Sequence, residues 1–544
     1  MLQLLQNPKN KSSAQCSPGF HKSAAENHTL GLCALLPICL LFTACQSAAP
    51  EVASDWAMPN APMSADTDIG QNVPLLDSDG TTTKQLVGSM SPAEASDHLY
   101  IPESSLTEYP TSHWQEQIHE SFDYARALVE AELDVELDNV QLMLVNDSPI
   151  NQEVAIETRR LVQKQFGQSA FADQFLNQVM QTQAGTYAAL FAARLNSIMV
   201  SRSMLMNFEQ SLPADPEVHD AALLTLLIHE LVHAADNKRY KIHDKRALSF
   251  RASFAQSATF EGHAQWVTRK ICNQIGCSTG LDALDHFMFS RDESSNQLTQ
   301  AVEAISRNVL EYSYVEGERF IDELSKRDNG YSIISSILSS PPHDPVQILA
   351  PASFPDLARD QRNDRLIEAS RHIDHPWLTN PWVGVETSPL KGINLRADPT
   401  RRQAAIDGFT RLIQGMVAIQ FYNQTSIKLP PIEVTLLHAE SDHTARLFAN
   451  TLHQNTLQAD SFAGGGPRSI NLPTAHSRHD LIMHLYQSAI DTGDGAPYRT
   501  AIGVSGPYVV QIAGNADEFS TFEDYARGVL LDLQYSQEQH ALQR

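Results

Sequence analysis

The chain has 544 residues, 42% of them hydrophobic, with 39 Lys and Arg against 64 Asp and Glu for a formal charge of −25. That length accommodates two globular domains and a tether. The acidity argues against a nucleic-acid partner and predicts repulsion from anionic surfaces, without identifying a substrate.

The amino terminus reads as an export signal. Lys9, Lys11 and Lys22 sit in a polar leader without Asp before Leu30, and an apolar run from Leu30 to Phe42 follows. That run is too short to span a bilayer and suits the core of a signal peptide. Phe42-Thr43-Ala44-Cys45 resembles a bacterial lipobox, so residues 1–45 are expected to end in a lipid anchor at Cys45. By the same resemblance, Gln46 after the cysteine favours the outer membrane over the inner. A secreted protein cleaved near Ala44 or Ala49 is the alternative. Residues 46–110, rich in Ser, Ala, Asp and Pro with little periodicity, read as a flexible linker off the membrane.

Leu195 to Ser201 reads as a strand, and a long helix follows it. Asp215-Pro216-Glu217 combines an N-cap, a proline at the first helical position and an acid in the first turn. The apolar stretch Ala221–Ile228 then leads without Gly or Pro into His229-Glu230-Leu231-Val232-His233. Residues four apart share a helix face, roughly 5–6 Å from each other, so two imidazoles so placed can bind one metal ion. Glu230 points off that line, where a carboxylate can take a proton from a metal-activated water. A core helix whose histidines only hydrogen-bond is the plainer alternative. It leaves a glutamate and two histidines in an apolar helix without partners.

A catalytic zinc site needs a third protein ligand. Asp236 and Arg239 stand where an extended motif would carry Gly and His, so the ligand must lie elsewhere. A second helix, expected from about Ser249 to Lys270, carries Glu261 among Phe260, Gly262, Ala264 and Trp266. Glu261 is the best candidate, with His263 as a competing ligand or a residue behind the ligands. The small Gly262 and Ala264 are expected to let this helix approach the first closely. Of six cysteines only Cys272 and Cys277 lie beyond the anchor. In an oxidising compartment they are expected to form a disulfide, which requires the helix to end near Gly276.

These residues resemble the gluzincin metallopeptidases, in which a His-Glu-x-x-His helix is completed by a downstream glutamate. The resemblance extends to a family of uncharacterised, exported bacterial gluzincin-like proteins. It runs through Glu261-Gly262-His263-Ala264, Tyr314-Val315-Glu316-Gly317-Glu318-Arg319-Phe320 and Pro341-Pro342-His343-Asp344-Pro345-Val346-Gln347-Ile348-Leu349-Ala350-Pro351, over roughly residues 130–355. His343-Asp344-Pro345 and Asp236-Asn237-Lys238 depart from the family pattern. The resemblance implies a mainly helical zincin-like domain with a small sheet (residues 111–358). It also implies one Zn2+ held by His229, His233 and Glu261, and a peptide or protein substrate. Tyr314, or else His263, would stabilise the oxyanion. Asp236 would orient a ligand imidazole. The strand upstream of the helix would line the cleft and pair with an extended peptide.

Residues 359–544 mix element types and suggest a smaller α+β domain with an antiparallel sheet, without assigned chemistry. Pro376 to Gly384 suggests a junction. Helices are expected over Ala404–Phe421, Asp442–His453 and Phe522–Gln534, and strands over Pro431–Leu437 and Pro507–Ala513. The glycine-rich 463–467 lacks a phosphate-loop ending and reads as a surface loop. The expectation for the whole chain is an α+β, lipid-anchored, zinc-dependent peptidase facing the periplasm. The alternatives are a non-catalytic envelope lipoprotein with a binding or chaperone role, and a zinc amidase acting on a non-protein amide.

Overall fold

A computed structural model describes residues 113–183, 187–213, 215–243, 249–289, 309–379, 381–387, 408, 410–425, 431–458, 468–472, 481–491, 497–515 and 519–542. The expected leader, Cys45 anchor and linker, and the glycine-rich stretch 463–467, lie outside the described residues. The chain is α+β, and residues 112–544 belong to one compact unit.

Its first half is built on helices. In chain order they are α1 (His113–Leu133), α2 (Asp147–Phe166), α3 (Ala170–Gln183), α4 (Arg202–Ser211), α5 (Pro216–Tyr240), α6 (Phe250–Ile275) and α7 (Ser278–Phe289). A π-helical turn (Glu311–Glu316) runs into α8 (Gly317–Ser325), followed by α9 (Gly330–Ser339) and α10 (Pro345–Leu349). Three short strands, β1 (Gln141–Val145), β2 (Ala189–Ala192) and β3 (Ser197–Ser201), form a sheet in the order β1-β3-β2. β1 is parallel and β2 antiparallel to β3. The anticipated strand is therefore the central one. The edges are β1 and β2, strands of five and four residues that carry too little alternation to register in the sequence.

Helix α5 starts as its sequence dictates: Asp215 accepts a hydrogen bond from the Glu217 N–H at 3.0 Å, with Pro216 in the first turn. It ends at Lys241 in the left-handed conformation. By length and composition alone α5 passes for a membrane span, but 72% of its most apolar window is buried within the protein. It is a core helix, wrapped by Trp114, Ile118 and Phe122 of α1, Ile198 and Val200 of β3, and Ala264, Val267 and Ile271 of α6.

Helix α6 is buried on its other face too, where Phe254, Ala255 and Ala258 meet Tyr312, Phe320 and Ile321. That second contact is set by glycine. A Cβ on Gly262 would lie 2.1 Å from the Gly317 carbonyl carbon, and one on Gly317 would lie 2.1 Å from the Ala258 carbonyl oxygen. The two backbones touch, so Gly262 serves the packing of α6 against α8. The expected approach to α5 is made by Ala264 instead, since a residue two positions on faces a different side of a helix. Gly262→Ala is expected to lower stability by about 1–3 kcal/mol or more, because the opposing atoms are backbone and cannot rotate away. Urea unfolding monitored by circular dichroism checks it; a loss under about 1 kcal/mol, the ordinary size for a point mutant, would refute the close crossing.

Helix α6 stops at Gly276, which is left-handed at φ 87°, and the sulfurs of Cys272 and Cys277 are bonded across that turn.

The second half carries α11 (Leu357–Arg371), β4 (Trp382–Thr387), β5 (Ile413–Asn423), β6 (Ile432–Ala439), α12 (Asp442–Gln458), β7 (Arg468–Leu472), β8 (Leu481–Asp491), β9 (Pro497–Ser505), β10 (Tyr508–Asn515) and α13 (Phe519–Leu542). The strands form one seven-stranded sheet in the order β4-β5-β6-β10-β9-β8-β7, every pair antiparallel. One face packs on α11 and α13 through Leu366, Phe522, Tyr525 and Val529. The other packs on α12 through Ala445 and Ala449. Ile413–Phe421 is strand rather than helix, a correction with a clear cause. As an inner strand buried on both faces, β5 shows a nearly continuous apolar run that helical spacing also fits.

The sequence boundary at 358/359 falls within the first turn of α11, and a buried polar network crosses it. Arg359 donates to Asp344 Oδ2 at 2.7 Å and to the Ile413 carbonyl at 2.6 Å, while Asn363 donates to the same Asp344 oxygen at 2.8 Å. Asp344 also caps α10. The segment His343-Asp344-Pro345 is thus fastened to the second sheet.

Candidate metal centre

Helix α5 presents His229 and His233 on one face, and α6 crosses it carrying Glu261. The two Nε2 atoms stand 3.2 Å apart. Glu261 Oε2 lies 3.1 Å from the first and 3.3 Å from the second. Three ligands at about 2.0–2.1 Å from a tetrahedral ion lie about 3.3–3.4 Å from one another, close to the triangle found here. All three side chains are buried, Glu261 at 1% exposure, and its Oε1 has no hydrogen-bond partner. Two facing imidazole nitrogens with a buried, half-satisfied carboxylate are a costly arrangement unless a cation completes it. The His229–His233–Glu261 group can hold a metal ion.

Glu230 does not belong to that triangle. Its Oε2 accepts the Phe191 backbone N–H of β2 at 2.8 Å, and its carboxylate lies close enough to both histidines to feel their charge. Sequence reasoning missed Phe191, because a main-chain donor contributed by a strand 39 residues upstream leaves no residue-type signal. Asp236 does not orient a ligand imidazole as expected: its Oδ2 pairs with Nδ1 of His263 at 2.8 Å, with both side chains buried. His263 is thereby engaged behind the ligands and stands outside the ligating group. Tyr314 stacks on His229, ring centres 5.6 Å apart at 26°. It is brought there by the π-helical turn, a deformation common at functional sites. The adjacent Tyr312 donates to the Pro345 carbonyl at 2.9 Å, tying that turn to α10.

The electrostatics follow from burial and proximity. Burial alone would lower the His233 pKa, but the charge and hydrogen bond of Glu261 outweigh it and raise it to about 9. Burial would raise Glu261, yet the His233 charge and the hydrogen bonds of both imidazoles hold it well below the usual carboxylate range. Burial pushes Glu230 up, opposed only in part by the two histidines and the Phe191 N–H.

A pH dependence follows, because a metal must displace the proton that His233 carries in the metal-free protein. Glu261 is already ionised and contributes none. Metal affinity is expected to rise about tenfold per pH unit up to pH about 9 and to level off above it. In the metal-free protein the His233–Glu261 contribution to stability is complete between the unfolded glutamate pKa of about 4.3 and the unfolded histidine pKa of about 6.5. It is lost as pH rises through about 9. Titration calorimetry in buffers of different ionisation enthalpy measures the proton released; affinity flat across neutral pH would contradict the coupling.

Searches against models of known protein families, curated proteins and solved structures give no match.

Proposed function

We propose that this chain is a zinc-dependent peptidase of the gluzincin type, organised as a zincin-like domain followed by an α+β domain. The observation that carries the reading is the buried His229–His233–Glu261 triangle with Glu230 directly beside it. A purely structural metal has no use for a neighbouring base, and burial pushes the Glu230 carboxyl above its ordinary value. Imidazole and carboxylate ligands at this spacing suit zinc.

His229, His233 and Glu261 would hold the zinc, which would supply a Lewis acid there. Glu230 takes the proton released from the attacking water and passes it to the leaving amine. The Phe191 N–H holds one Glu230 oxygen, which fixes the carboxylate's orientation. Tyr314, stacked on His229, is the nearest candidate to donate to the developing oxyanion. The Asp236–His263 pair braces α5 against α6 behind the ligands. β2, at the sheet edge beside Glu230, offers backbone for an extended substrate.

The compartment proposed is the bacterial envelope, facing the periplasm from a lipid anchor at Cys45. The leader sequence supports it, as does the Cys272–Cys277 disulfide, a bond typical of oxidising compartments. The deciding experiment is elemental analysis of the purified protein together with hydrolysis of unfolded casein. Near-stoichiometric zinc and chelator-sensitive cleavage are expected. Protein that stays metal-free in zinc-containing buffer would sink the reading.

A further inference from the structure

A cavity of about 550 Å³ lies between the first turn of α6, α11 and β4, in the size range of small-ligand sites. Arg251 on its wall is ten residues from Glu261 along α6, about 15 Å by helix rise, so the cavity is separate from the metal centre. Among its lining residues only Ala252 and Ile367 are apolar, so the ligand it suits is polar.

Arg251 sets the ligand's chemistry. The residue is 6% exposed, and its Nε and Nη1 make no hydrogen bond. The closest Glu386 oxygen stands 3.6 Å from Nε, beyond hydrogen-bond range, while the other accepts from Arg371 at 2.8 Å. Glu386 is thus shared between two guanidinium groups and satisfies one. A guanidinium cannot shed its charge, and burying it short of acceptors is costly. A carboxylate arriving from the cavity supplies an acceptor to that guanidinium. The α11 wall carries both signs: Asp364 and Glu368, one helical turn apart, line the cavity together with Arg371.

We infer that this cavity binds a small zwitterion, a free amino acid or a short peptide with free termini. Its carboxylate sits on Arg251 and its ammonium group faces Asp364 and Glu368. The site does not depend on the peptidase reading, and its test is built to keep the two apart.

The test is titration calorimetry of the full-length protein carrying Glu261→Ala, which disables the metal centre. The probes are L-alanine, trialanine, trialanine amide and inorganic phosphate. Saturable binding of L-alanine or trialanine is expected, and whichever binds more tightly identifies the ligand's size. Trialanine amide should bind about tenfold more weakly or worse, the scale of one charged hydrogen-bonded contact. Arg251→Gln should weaken binding by a similar factor. Glu386→Gln, which releases Arg251 and Arg371 from their shared carboxylate, should tighten it, a gain that a merely structural role for these residues does not produce. No saturable binding at millimolar concentrations would overturn the proposal. So would amide binding equal to that of the free peptide, phosphate binding as tight as that of the zwitterions, or weakening by Glu386→Gln.

Discussion

Glu230→Gln is expected to lower peptide hydrolysis by about 10²- to 10⁴-fold, the range for removing a general base, with zinc content unchanged. The amide keeps the size of the side chain but loses the basic oxygen. Gln can still accept the Phe191 N–H through its carbonyl, so the local fold is expected to persist. The loss should fall on kcat rather than KM, because proton transfer belongs to the transition state and not to substrate binding. Casein cleavage measured beside zinc content separates the outcomes. Full activity in the variant would remove Glu230 from the mechanism.

Glu261→Ala is expected to weaken zinc binding by more than about 100-fold. Groups that only orient metal ligands are worth about 10- to 100-fold, and a group in direct contact should exceed that. The variant also removes the acceptor placed 3.1 Å and 3.3 Å from the two imidazoles. Since Glu261 is the main support for the raised His233 pKa, burial then governs that imidazole and its pKa should fall. A histidine titration followed by NMR reads this in the metal-free protein, independently of activity. Wild-type zinc affinity in Glu261→Ala would assign the third ligand elsewhere, with His263 the nearest alternative two residues on. In the structure His263 is committed to Asp236, which makes that outcome unexpected.

Much of the centre was legible before any tertiary contact was known. The start of α5, its N-cap and the shared face of His229 and His233 are properties of one helix, and a helix writes its periodicity directly into sequence. Glu261 was legible for a related reason: a carboxylate amid apolar and small residues announces burial, and a buried carboxylate needs a partner. The end of α6 at Gly276 was readable because a disulfide between residues five apart cannot close inside a continuous helix.

Other features failed to show because they depend on what lies opposite. Gly262 looked like a contact to α5 and proved to be one to Gly317, since smallness does not say which neighbour it admits. Asp236 was matched to a ligand histidine when its partner is His263 on the next helix. Ile413–Phe421 carried a helical pattern into a strand because burial on both faces erases the alternation that marks half-buried strands.

By itself, then, the sequence determined the α+β class, the metal-competent residue types and the elements that carry them, because local periodicity, capping and the cost of burying charge act within a few residues. Only the tertiary structure decided which donors converge, that a backbone N–H of β2 holds Glu230, and that Arg251 is buried with donors to spare. Those outcomes depend on the crossing of elements far apart in the chain, where side-chain identity constrains a contact without choosing it.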